Sequence, residues 1–117
     1  AGSYQGSIGN ITGINITGNY AFRYAGSEKG SIERITGINI KGDYAFWRAG
    51  SYQGSIGNIT GINITGNNAF WDAGSDDGRV EVVKYYDIKG AKSFEEADID
   101  QKVLLTQEQA KKYMTGL

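Results

Sequence analysis

The chain has no cysteine, no histidine and no proline, and one methionine among 117 residues. Without cysteine there is no disulfide and no thiol nucleophile, and redox compartment cannot be read from cysteine usage. Without histidine, the commonest general base and the commonest metal ligand are missing together. Formal net charge is −1, so no overall basic field draws the chain to nucleic acid or anionic lipid. No apolar run approaches the roughly 18 residues of a membrane-spanning helix, and no signal peptide is visible at Ala1. From these absences we expect no catalytic residues, no cofactor, no bound metal, no nucleic-acid partner and no membrane insertion.

What is present is glycine, at 18 positions, and repetition. The stretch AGSYQGSIGNITGINITGN runs from Ala1 to Asn19 and again, unchanged, from Ala49 to Asn67. Self-alignment gives a 24-residue period with units Gly2–Ala25, Gly26–Ala49, Gly50–Ala73 and a diverged Gly74–Ala97. Unit two differs from its neighbours at polar positions such as Glu28, Lys29, Glu33, Arg34 and Lys41. Its apolar skeleton is unchanged, as expected of a shared core beneath a variable surface.

The apolar residues form columns at the repeat spacing: Ile8, Ile32, Ile56, Val80; Ile11, Ile35, Ile59, Val83; Ile14, Ile38, Ile62, Tyr86; Ile16, Ile40, Ile64, Ile88; and Phe22, Phe46, Phe70, Phe94. β-Branched residues favour strand over helix, and glycine recurs too often for a long helix. The Ile-Asn-Ile triplet alternates with period two, as a strand with one buried face would. The expectation is an all-β chain: a β-solenoid of four 24-residue repeats over residues 1–97, with a short C-terminal helical cap over residues 98–117. In that arrangement equivalent residues stack from coil to coil, and Asn15, Asn39 and Asn63 form an amide ladder. An antiparallel β-hairpin array or barrel is the alternative. Stacked Ile, Asn and Phe with turn glycines over Gly2–Ala97 resemble the right-handed parallel β-helix repeat proteins as a class. The resemblance implies a fold and carries over no functional residue.

Composition changes at Gly74: residues 1–73 hold 9 charged residues and residues 74–117 hold 16. A charged, irregular last unit protects the exposed strand edge of a solenoid. Ser93 with Glu96 reads as a capping box, and Thr106 as the N-cap of a helix over Gln107–Met114 that stops at Gly116. Val103, Leu104, Leu105, Ala110, Tyr113 and Met114 are expected to fold over the open end of the core. Coil one, by contrast, starts almost at Ala1 with an intact consensus unit, so no comparable cap is expected there.

Carboxylates cluster at Asp76–Asp77 and along Glu95–Asp100. No EF-hand spacing accompanies them, so they read as solvated turns and a helix start rather than a cation site. The tyrosines and tryptophans are more informative. Tyr4, Tyr52, Tyr20, Tyr44, Tyr24, Trp47 and Trp71 lie at variable unit positions. They either cover the corner beside the Phe column, anchor a protein interface, or offer a face to sugar rings. The candidate interface or glycan face is Tyr20, Tyr44, Trp47 and Trp71. The expected function is a non-enzymatic structural or self-assembly module, in a fibre, a surface appendage, a phage-type fibre or an engineered repeat scaffold. Its partner would be a further copy of itself, in an extracellular or cell- or virion-surface setting. A carbohydrate-binding module using the aromatic stripe is the alternative.

Overall fold

Isoleucine, valine and threonine, at fixed positions between turn glycines, define five strands and one helix. They are β1 (Ser7–Thr17), β2 (Ser31–Lys41), β3 (Ser55–Thr65), β4 (Arg79–Lys89), β5 (Ile99–Leu104) and α1 (Gln107–Thr115). The computed structural model describes residues 7–90, 92, 94 and 97–115. Tyr4, the Ser93–Glu96 capping box, Glu95 and the Gly116 stop lie outside them. All neighbouring strands pair in parallel, in the order β1-β2-β3-β4-β5. From β1 to β4 each paired residue sits beside its equivalent 24 positions on: Ile8 beside Ile32, Ile32 beside Ile56, Ile56 beside Val80. The turns stack in the same way. The Phe22 N–H donates to the Ala45 carbonyl, and the Phe46 N–H to that of Ala69, each at 2.6 Å. The chain is therefore an all-β parallel β-solenoid with a repeat of about 24 residues and a short C-terminal helix. Hairpin pairing is absent among the described strands.

The interior is built from three Ile/Val columns and the Phe column. Ile32, Ile35, Ile40, Ile56, Ile59, Ile64, Val80 and Val83 are buried in one cluster with Phe22, Phe46 and Phe70. The rings of Phe22, Phe46, Phe70 and Phe94 stack at 4.9, 4.6 and 5.0 Å, with planes within 14° of parallel. The first three are buried and Phe94, at the C-terminal end, is partly exposed. Close approach of the coils demands glycine at Gly42 and Gly66. A Cβ there would run into the carbonyl oxygen of the coil before, at Gly18 and Gly42 respectively.

The Ile-Asn-Ile triplet is not a simple alternation. Asn15, Asn39 and Asn63 all have positive φ, between 56° and 57°, and Asp87 does the same in the fourth unit. A left-handed residue turns the chain, so the two isoleucines flanking it point to different sides. Ile40 enters the solenoid interior, while Ile38 and Ile62 belong to a second cluster outside it, with Leu105 and Ala110. The third column is thus an outer one. The asparagines at the corner form the expected ladder: Asn39 Nδ2 donates to Asn15 Oδ1, and Asn63 Nδ2 to Asn39 Oδ1, both at 3.0 Å.

The C-terminal segment differs from a plain helical cap in two ways. It first adds β5, which arrives early: Ile99 pairs with Val80, 19 positions on. Arg79 Nε binds Asp100 Oδ2 at 2.8 Å across this junction. That hydrogen bond, with the charges of Asp100 and Glu81, raises the Arg79 pKa. Lys102 stands beside Val83, in the register of a core column, and its ammonium lies 5.3 Å from the Phe94 ring centroid. Second, α1 does not lie over the open end. It packs on the flank, where Ala110, Tyr113 and Met114 cover Ile38, Ile62 and Tyr86. The reason is the outer Ile column, which would otherwise face water. The helix is started by a reciprocal pair: Gln109 N–H donates to Thr106 Oγ1 at 3.1 Å, and Thr106 N–H to Gln109 Oε1 at 2.9 Å.

Candidate interaction site: the aromatic corner and the first strand

Between strands the chain passes through a tight corner. In unit one the Arg23 N–H bonds to the Tyr20 carbonyl at 3.2 Å, and the Ser27 N–H to that of Tyr24 at 3.0 Å. Tyr24, Arg48 and Asp72 share a left-handed conformation at the same corner position. Phe22, Phe46 and Phe70 turn into the core, while Tyr20, Tyr24, Tyr44 and Arg48, two positions away, keep part of their surface exposed.

The four aromatic residues singled out from the sequence come together here. Tyr20 and Tyr44 stack at 5.7 Å, and Trp47 and Trp71 at 6.0 Å. The two columns interlock: Trp47 lies 6.0 Å from Tyr20 and 6.1 Å from Tyr44, with tilted planes. Sequence reasoning did not place the guanidinium groups. Arg23 lies over Tyr20 at 5.1 Å, and Arg48 over Trp47 at 5.4 Å and over Tyr52 at 5.3 Å. Arg48 also pairs with Asp72 at 3.5 Å, its neighbour one repeat on. The signal was the same-position series Tyr24, Arg48, Asp72, a cation with a ring and a carboxylate as its stacked neighbours.

Exposure along this corner is uneven. Tyr44, Trp47 and Trp71 are partly buried, and Trp47 Nε1 is fully buried without a hydrogen-bond partner among the described residues. Tyr20 is 49% exposed. It belongs to the first repeat, as does Ile14, which is 38% exposed while Ile38 and Ile62 of its column are buried. Among the described residues β1 has one strand neighbour, β2, so its other edge is unpaired. No charged residue occurs from Ser7 to Phe22.

Among the described residues, no group of histidine, cysteine, aspartate and glutamate side chains is arranged to hold a metal ion. No described helix is long and apolar enough to cross a membrane. Fold and site define the class, a parallel β-solenoid with an aromatic corner. Comparison with family models, curated proteins and solved structures finds no match.

Proposed function

We propose that the protein is a non-enzymatic structural module that associates with further copies of itself through the end formed by the first repeat. One observation carries this reading: among the described residues, a strand edge with no strand partner coincides with a stretch, Ser7 to Phe22, that holds no charged residue. An edge strand that lacks charge, proline and cover is a template for another chain. β1 holds no charge or proline and no described residue pairs with its outer edge, whereas β5 carries Asp100 and Lys102. Exposed Ile14 and Tyr20 add apolar area at the same end.

Carbohydrate binding has less support. A sugar ring packs on a free aromatic face, and here each ring lies against a neighbouring ring or guanidinium. A glycan array probed with wild type and a Trp47→Ala/Trp71→Ala variant measures it directly. Sedimentation over a wide concentration range tests the self-association. Wild type is expected above the monomer mass, and Asn10→Lys/Thr12→Lys, two exposed β1 positions, at the monomer mass. A wild type that stays monomeric throughout overturns the reading.

A further inference from the structure

The pattern of β1 reads the same in both directions. Along Ser7–Thr17 the residues withdrawn from solvent are Ile8, Ile11, Gly13 and Ile16, and all the others are exposed. Reversing the strand about Thr12 exchanges Ile8 with Ile16 and Ile11 with Gly13, so the inward positions map onto themselves. The breaks in pairing obey the same symmetry. The β1–β2 register skips Gly9 and Asn15, which also exchange about Thr12. Two antiparallel copies of β1 therefore present inward positions to inward positions along their whole length, which a two-fold contact requires. The exchange of Ile11 with Gly13 also has a steric use. The space a Gly13 side chain would take is filled by the Phe22 ring, 2.6 Å from an added Cβ. The partner's isoleucine then comes opposite a strand position with no side chain of its own.

The opposite end is built against continuing the stack. There a following copy in parallel register would set Ile11 on Lys102, in the column Ile11, Ile35, Ile59, Val83, Lys102. It would cover an ammonium that already sits above the Phe94 ring. Burying an unpaired ammonium is costly. β5 also offers six residues to the eleven of β1.

We propose that the partner is a second copy of this chain meeting the first head to head, β1 antiparallel to β1, about a two-fold axis through Thr12. The assembly then closes at two copies, with both β5 ends outward. This inference rests on the self-association proposed above, and the test separates the two.

The chain has no cysteine, so an introduced thiol can be followed without background. Thr12 is exposed, and across the axis its Cα lies about 4.5–5.5 Å from its own copy, within disulfide reach. Thr17 would be ten strand positions from its copy, well beyond disulfide reach. On oxidation with copper phenanthroline, Thr12→Cys is expected to form a disulfide-linked pair about tenfold faster or more than Thr17→Cys. Wild-type sedimentation is expected to stop at two copies. In the head-to-tail alternative Thr12 would instead follow Val103, which pairs with Lys84 of the same column. Linkage into ladders by Thr12→Cys/Val103→Cys, with Thr12→Cys alone unlinked, overturns the head-to-head geometry and leaves self-association standing. Equal rates for Thr12→Cys and Thr17→Cys also overturn the geometry. No linkage in any variant, with a monomeric wild type, overturns both.

Discussion

Phe46 and Phe70 lie with ring centroids 4.6 Å apart and planes 2° from parallel, both fully buried. They are the middle pair of a four-ring column. Phe46→Ala is expected to cost about 3–5 kcal/mol, most of the stability of a small domain. Trp47→Ala, one position along at a partly exposed site, is expected to cost clearly less. Urea unfolding of the two variants side by side measures the difference. A costlier Trp47 would mean that the corner, not the Phe stack, holds the coils together.

The asparagine ladder separates conformation from hydrogen bonding. Asn39 donates to Asn15 and accepts from Asn63 while holding φ at 57°. Asn39→Ala loses both bonds and puts a less tolerant residue in the left-handed region. Asn39→Gly loses the bonds without the strain. With neutral bonds worth about 1 kcal/mol each, both variants are expected to be destabilised, the glycine by about 1 kcal/mol less. Equal losses in denaturant midpoints would show that the backbone conformation is unstrained.

Gly18 and Gly66 occupy one column and predict opposite responses to the same change. A Cβ on Gly66 strikes the Gly42 carbonyl oxygen of the preceding coil, while a Cβ on Gly18 meets nothing within 4 Å. Gly18→Ala is expected to fall within about 0.5 kcal/mol of wild type. Gly66→Ala must push two coils apart and is expected to lose the cooperative transition or several kcal/mol of stability. Circular dichroism through a thermal melt is sufficient to tell them apart.

The turn at Glu28–Lys29 has positive φ at both central residues, 52° and 66°, closed by the Gly30 N–H on the Ser27 carbonyl at 2.8 Å. That is a type I′ turn, which asparagine and glycine fit and glutamate and lysine do not. Glu28→Asn/Lys29→Gly is expected to stabilise by about 1 kcal/mol. A lowered melting temperature would count against this turn geometry.

The helix depends on its first hydrogen-bonded pair. Thr106→Ala removes one partner of the reciprocal contact with Gln109 and is expected to cost about 1 kcal/mol. Because α1 shields Ile38 and Ile62, binding of a hydrophobic dye should rise as the helix loosens.

The period, the parallel stacking and the Phe column were legible because identical residues repeat at one spacing, and stacking is what such identity serves. The outer position of Ile14, Ile38 and Ile62 was not legible. Apolar identity marks a residue for burial without saying in which cluster, and here a left-handed asparagine decides the side. The series Asn15, Asn39, Asn63, Asp87 carried that signal, since these two residue types tolerate positive φ best. β5 escaped because it arrives 19 residues after its partner rather than 24, so alignment on the period passes over it. The aromatic corner was located by its variable positions. Its half-burial follows from rings and guanidinium groups packing on one another, which residue identity alone does not report.

The helix on the flank is also a ruler. Its nine residues measure about 13 Å at 1.5 Å per residue, close to three strand spacings of about 4.8 Å. It runs back from β5 over Tyr86, Ile62 and Ile38 and stops short of Ile14. Inserting one more 24-residue unit would therefore lengthen the strand stack without lengthening its cover, and would strand one further isoleucine in water. An elongated version of this protein needs about three more helical residues for every repeat added.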